Sequence, residues 1–131
     1  MSGIVDLKIL LKSMSPELQS DEYVFYSLPG EYGDYQHLMP LASFREKEGL
    51  TLVVTKNHAE QEGIEFESTF KVITLTIHSS LDAVGLTAEV ARKLTEHNIS
   101  ANVIAAYYHD HILVQTEKAD AAMLALYEFS A

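Results

Sequence analysis

The side chains able to do chemistry are few in kind. The 131 residues include no cysteine, which excludes disulfides, thiolate catalysis and cysteine-type zinc sites together. Reactivity must come from histidines, carboxylates or hydroxyls. His109, Asp110 and His111 form the densest group, and in an extended chain the two histidines would share a face, as a metal or proton-transfer site requires. A metal needs three or four converging ligands, however. His37, His58, His78 and His97 stand in no spacing such as His-Glu-x-x-His that would add to the pair. A polar, hydrogen-bonded turn over residues 109–111 accounts for the trio more simply. Ser79 and Ser80 lack the Gly-x-Ser-x-Gly setting of a hydrolase nucleophile, and no glycine-rich phosphate loop occurs. The pattern predicts no catalytic residue, no metal and no cofactor.

The elements that would position these residues follow from periodicity. Leu7, Leu10, Leu11 and Met14 recur at helical spacing with Lys8 and Lys12 opposite, which predicts a short amphipathic helix over residues 6–14. Asp6 is its expected N-cap, and Ser15 before Pro16 its expected stop. Residues 22–28 read as a strand ending at the Pro29-Gly30 turn, and residues 29–40 as a surface loop without period. Residues 42–44 and 50–55 read as a hairpin around a charged turn, followed by a short polar helix over 57–61 that Gly63 stops. Residues 66–77 are expected to be the longest strand, half buried, with Ile73, Leu75 and Ile77 on one face and Val72, Thr74 and Thr76 on the other. Leu86, Val90, Ala91 and Leu94 then share one face of a helix that closes at Asn98, a residue that tolerates the left-handed conformation. Strands over 101–108 and 112–116 flank the histidine turn, putting Tyr107 and Tyr108 on opposite strand faces, so that at least one serves packing. A last helix, residues 119–129, should turn Ala119, Met123, Leu126 and Tyr127 inward.

Two features bear on organisation. Leu52, Val53, Val54 and Thr55 before one helix are echoed by Leu113, Val114, Gln115 and Thr116 before another, 61 residues on. From residue 69 the order strand, helix, strand, strand, helix is that of a ferredoxin-like unit lacking its final strand, which something else must supply.

Composition narrows the partners. Nineteen acidic against nine basic side chains give a net charge of −10, with no cluster of Lys or Arg to neutralise phosphates, so nucleic acid is not an expected partner. The apolar runs around residues 50–54 and 99–108 fall well short of the roughly 20 residues needed to span a bilayer, and the N-terminus lacks a signal peptide's basic start and apolar core. No membrane association and a cytosolic location are the expectation.

The run of residues 76–114, opening Thr76-Ile-His-Ser-Ser-Leu-Asp-Ala-Val-Gly-Leu86 and closing Ala105-Ala-Tyr-Tyr-His-Asp-His-Ile-Leu-Val114, resembles the ACT domains of aspartokinases and of arginine-sensing ACT proteins. Tyr23-Val-Phe-Tyr-Ser-Leu-Pro29 and Ala42-Ser-Phe-Arg-Glu-Lys-Glu-Gly-Leu-Thr-Leu-Val53 look like the N-terminal half of small stand-alone double-ACT proteins. The resemblance implies an α+β fold of two ferredoxin-like ACT modules (βαββαβ-type) side by side, with an antiparallel sheet and helices on one face. Residues 1–68 would form the N-terminal module and residues 69–131 the C-terminal one. It implies a regulatory protein, commonly a homodimer, that binds a small ligand such as an amino acid and is not an enzyme. An assembly module with a vestigial site is the alternative.

In such modules effectors sit where a strand ends and the first helix begins. Helix N-termini carry unpaired N–H groups and partial positive charge, so Val84, Gly85 and Leu86, with Leu81 nearby, could receive a carboxylate. Gly85 either lets a ligand approach the backbone or permits tight helix-to-strand packing. Asp82 either caps the helix or pairs with an amino group. The resemblance places the second wall at Ala101 and Asn102 and at Tyr107 and Tyr108. Lysine-responsive relatives often carry an acidic residue in place of Asn102 and small polar ones in place of the tyrosines, so the resemblance does not fix which ligand is bound. The neutral amide of Asn102 can still orient an ammonium group, more weakly than a carboxylate would.

Overall fold

The computed structural model describes residues 3–76 and 85–131, with the side chains described from residue 7. The elements in chain order are helix α1 (Gly3–Ser13), strands β1 (Ser15–Leu28), β2 (Ala42–Glu46) and β3 (Gly49–Thr55), helix α2 (Lys56–Gln61), strand β4 (Phe70–Thr76), helix α3 (Leu86–Glu96), strands β5 (Asn102–Ala105) and β6 (Asp110–Gln115), and helix α4 (Ala119–Tyr127). The fold is α+β. It divides into two compact units, one of residues 1–20 and 71–131, the other of residues 21–70.

In the first unit the strands run in the order β1-β4-β6-β5. The start of β1 thus supplies the strand that the ferredoxin-like order lacked, from the N-terminal side of the chain. Its core is built by stripes at helical spacing, Leu11 and Met14 from α1 and its end, Leu86, Val90 and Leu94 from α3, Ala119, Ala122 and Leu126 from α4. These close on Ile73 and Leu75 of β4 and Ile112 and Val114 of β6. Helix α3 ends as its sequence suggests: Asn98 takes φ 60°, and the amides of Asn98 and Ile99 return to the carbonyls of Thr95 and Leu94 at 2.9 Å each. That is a Schellman closure, with Ile99 buried beneath it.

In the second unit the order is β2-β3-β1, and Val24, Leu50, Leu52 and Val54 alternate toward a core that Leu38 and Ala59 complete. A two-residue turn joins β2 to β3, with Glu46 opposite Gly49. The Thr55 hydroxyl accepts from the His58 amide at 3.2 Å and caps α2, which Gly63 ends at φ +71°. Phe25 and Phe70 meet edge to face at 5.1 Å on the other side of the strands.

Several expectations are corrected. Asp6 lies within α1 rather than at its N-cap, because the helix begins at Gly3. Helix α1 stops at Ser13, ahead of Pro16 as expected, but the strand expected over residues 22–28 begins at Ser15: β1, at 14 residues, is the longest strand. Pairing with β3 starts only at Tyr23, so near Pro16 that side of the strand has no β3 partner to miss an amide. β4 covers seven residues rather than the twelve expected; Ile64 and Phe66 ahead of it alternate like a strand, but they pack irregular chain onto the second core. Val72 to Leu75 are buried consecutively, so β4 is covered on both faces instead of half exposed. Residue 77 lies outside the described residues. The loop after Pro29 forms two 3-10 turns, Tyr32–Asp34 and Gln36–Leu38, and buries Leu38. β5 stops at Ala105, so Tyr107 and Tyr108 sit on a turn closed by the Ala106 amide donating to the His109 carbonyl at 3.0 Å, while Asp110 and His111 belong to β6. Tyr127 points outward at 50% exposure, being one residue beyond Leu126 and off the inward stripe.

The internal echo also shifts. Leu52 and Val54 face the second core while Val114 faces the first and Leu113 does not, so matching residues 61 apart would put inward residues outward. Matching 60 apart aligns Leu52 with Ile112, Val54 with Val114 and Ala59 with Ala119, all inward. The repeat is real in burial, with a register one residue different from the letter-for-letter match.

Candidate functional site

The candidate site is built at the start of α3. Gly85 takes φ 90° and ψ −11° as N-cap, a left-handed backbone that an L side chain adopts at a cost of about 1–2 kcal/mol. Its carbonyl receives the first helical bond, from the Glu89 amide at 3.0 Å. The amides of Leu86, Thr87 and Ala88 precede that bond, and among the described residues they have no side-chain cap. An eleven-residue helix sums its peptide dipoles toward these groups, so the position favours an anion.

Leu7 of α1 is the neighbour that sequence reasoning missed here. A Cβ on Gly85 would lie 3.1 Å from Leu7 Cδ2, so the glycine is held by its backbone conformation and by close packing against a helix, where the sequence suggested packing against a strand. The signal for Leu7 was present in the apolar stripe of α1, but the stripe does not say which element it meets.

Connectivity locates the other wall. Helix α3 returns along the unit and β5 runs forward again, so the end of β5 and the turn after it lie at the end of the sheet where α3 begins. Tyr107 and Tyr108 are therefore on the same end of the first unit as Gly85 and Leu86. Both are open to solvent, at 76% and 77%, and their rings pack edge to face with centroids 5.0 Å apart. Ala101 and Asn102 sit at the opposite end, about 16 Å away along α3 from its eleven residues at 1.5 Å each. Ala101 packs on the first core, and Asn102 donates from Nδ2 to the Leu113 carbonyl at 3.1 Å. Leu86 is buried in the core, so only its backbone can face a ligand. Leu81, Asp82 and Val84 lie outside the described residues.

A second polar group lies on the side of the first unit's strands away from its core. Thr74, 7% exposed, places its hydroxyl 3.2 Å from Gln19 Nε2 and 3.0 Å from His111 Nδ1. Burial lowers the His111 pKa below 6.5, the neighbouring His109 lowers it further, and Asp110 opposes them. His109 keeps a buried Nδ1 without a hydrogen-bond partner among the described residues. No group of three or more His, Asp or Glu residues among those described could hold a metal ion. No described helix is long and apolar enough to cross a membrane.

Comparison with known proteins agrees with this architecture. One ACT-domain family model matches residues 2–71 and a second matches residues 67–128. A Vibrio cholerae protein of unknown function, described as a possible transport protein, is 58% identical, with 99% of this chain and 100% of that one covered and a TM-score of 0.92. The ligand-free regulatory subunit of aspartate kinase from Thermus thermophilus is similar at a TM-score of 0.64 and 11% identity, covering 88% of this chain and 97% of its own. An Agrobacterium tumefaciens protein reaches 0.62 at 14% identity, with 89% of each chain covered. At those identities the likeness to the last two is one of fold. No curated protein is a significant match. With more than half of its residues matched by one ACT model and most of the rest by another, the chain belongs to the ACT-domain family and carries two ACT domains.

Proposed function

We propose that this protein is a regulatory module that binds a small zwitterion, an amino acid or a close analogue, and transmits its presence without catalysing a reaction. The observation that carries the reading is the start of α3, where amides that have no side-chain cap among the described residues share, behind the left-handed Gly85, one end of the first unit with the open Tyr107 and Tyr108 turn. The amides of Val84, Gly85 and Leu86 would receive the carboxylate, Asp82 beside Leu81 would pair with the ammonium, and the tyrosine rings would cover the side chain. Ala101 and Asn102, at the far end of α3, would belong to a second wall only if another copy of the chain brought them to the pocket. The reading accordingly includes a homodimer, and a cytosolic setting for it.

Membership in the ACT family supports this reading, as does the likeness to an aspartate kinase regulatory subunit. The test is a thermal-shift series of the purified protein against the proteinogenic amino acids. A ligand at 100 times its dissociation constant adds about 2.7 kcal/mol, on the order of 10 °C in Tm for a chain of this size. At least one amino acid should produce such a rise, and a flat response to all of them contradicts the proposal.

The second reading, an assembly module with a vestigial site, is favoured by Leu7, whose methyl group already lies against Gly85. Sedimentation at micromolar concentration separates the two, since a strict monomer with no ligand response would contradict both and a dimer with no response would favour assembly.

A further inference from the structure

We infer that the second unit closes its own equivalent of the α3 start with the carboxylate of Asp34, so that the chain takes one ligand, in the first unit alone. The count rests on the function proposed above, whereas the closure of the second unit stands on its own contacts.

The two units correspond residue by residue at their hairpins. β2 pairs with β3 as Ala42 with Val53, Ser43 with Leu52, Phe44 with Thr51 and Arg45 with Leu50. β5 pairs with β6 as Asn102 with Leu113, Val103 with Ile112, Ile104 with His111 and Ala105 with Asp110. Every residue of the later hairpin stands 60 positions after its counterpart, the offset at which the core residues also match. The sheet order agrees, since β1 lies beside β3 as β4 lies beside β6. The connection from β1 to β2 is therefore the counterpart of the connection from β4 to β5, and the tip at Lys47 and Glu48 is the counterpart of Tyr107 and Tyr108.

The counterparts are built differently. Residues 77–101 join β4 to β5 and include the eleven residues of α3, whereas residues 29–41 join β1 to β2 and hold two 3-10 turns of three residues each. One short turn aligns too few peptide units to build the partial charge that a long helix brings to its first amides. Each connection passes through a glycine of positive φ just ahead of helical structure, +111° at Gly30 and +90° at Gly85. What lies beside that glycine differs. At Gly85 the neighbour among the described residues is the Leu7 methyl group, which engages no amide. At Gly30 it is the Asp34 carboxylate, whose Oδ2 would lie 2.7 Å from a Cβ there and accepts from the Glu31 amide at 3.0 Å. The following amides are engaged as well, Asp34 donating to the Glu31 carbonyl at 3.0 Å and Tyr35 to the Tyr32 carbonyl at 2.9 Å. The Tyr35 hydroxyl donates to the Pro29 carbonyl, which brings its ring to 3.6 Å from the same Cβ position. A carboxylate arriving in the second unit would thus meet a like charge and an amide already in use. The exposed Lys47 and Glu48 at the tip offer it no ring face.

The test is a calorimetric titration of the wild-type protein with the amino acid that raises its Tm most, paired with an amide shift map at saturation. The titration should end at one ligand per chain, and the amides of Glu31, Asp34 and Tyr35 should keep their ligand-free positions. Two ligands per chain, or saturable shifts over Glu31 to Tyr35, overturn the inference and leave the regulatory reading standing. The closure itself is read without ligand, by hydrogen exchange of the Glu31 amide. Asp34→Ala should speed that exchange about two- to tenfold, the factor that corresponds to one ordinary net hydrogen bond. Asp34→Asn keeps a carbonyl oxygen and should fall between the wild type and Asp34→Ala. An exchange rate that ignores Asp34→Ala overturns the inference whatever the protein binds. A protein that answers no amino acid contradicts the regulatory reading and the count of one, and the exchange measurement still decides whether Asp34 closes the second unit.

Discussion

Replacing Gly85 with alanine tests the geometry on which the candidate site depends. The position takes φ 90°, so an alanine must adopt a left-handed backbone at a cost of about 1–2 kcal/mol. The new methyl would also stand 3.1 Å from Leu7 Cδ2, a flexible side-chain end that can move a few tenths of an ångström, which adds less than the backbone does. Gly85→Ala should therefore destabilise the protein by about 1–2 kcal/mol, lowering Tm by roughly 3–10 °C. The assay is urea unfolding of the wild type, Gly85→Ala, Leu7→Ala and the double variant. Backbone strain should persist in the Leu7→Ala background and the contact should vanish from it, giving a coupling energy below about 1 kcal/mol. A Gly85→Ala protein as stable as the wild type would refute the left-handed N-cap. A cost that disappears entirely without Leu7 would refute the priority given to the backbone over the contact.

Other substitutions probe the frame. Leu94→Ala empties a fully buried position in the first core and should cost about 2–5 kcal/mol in the same unfolding assay. Asn98→Ala must hold φ 60° without the short polar side chain that makes asparagine tolerant of it and should lose about 1 kcal/mol, whereas Asn98→Gly should lie within about 0.5 kcal/mol of the wild type. Thr55→Ala removes the hydroxyl that caps α2 and should cost about 0.5–2 kcal/mol. For His111 the folded-state pKa lies below the ordinary 6.5, so in that range the unfolded chain binds more protons than the folded one. Its contribution to stability is complete above 6.5 and is lost as pH falls through the folded-state value. His111→Gln should remove that part of the slope in urea unfolding followed from pH 8 to 5.

The parts of this fold that were legible in the sequence are those whose signal is local. Leu86, Val90 and Leu94 announce the buried stripe of α3, and Asn98 announces its left-handed close, because both depend on a few adjacent residues. The absent last strand of the C-terminal half was legible as a gap; that β1 fills it depends on pairing between residues about 55 positions apart, of which Gln19 and Thr74 are an example. Pro16 announced the end of α1, because a proline stops a helix by local sterics, but not the early start of β1, because its tolerance there depends on which neighbour is missing. Tyr107 and Tyr108 read as strand residues by β propensity, yet the turn is fixed by one backbone bond between Ala106 and His109. The candidate site was half legible. Gly85 stood out as a glycine at a helix start, but the Leu7 contact joins elements far apart in the chain. Thr74 looked like one more alternating strand residue, and only the assembled sheet shows it meeting Gln19 and His111.

The most direct measurement on the proposed binding role is an amide chemical-shift map of the isotope-labelled protein, taken at saturating concentration of whichever amino acid raises its Tm most. The largest shifts should fall on Gly85 to Glu89 and on Ala106 to His109, the two segments that share one end of the first unit. Shifts confined to the second unit, or to Ala101 and Asn102 with the start of α3 undisturbed, would contradict a binding site at that end.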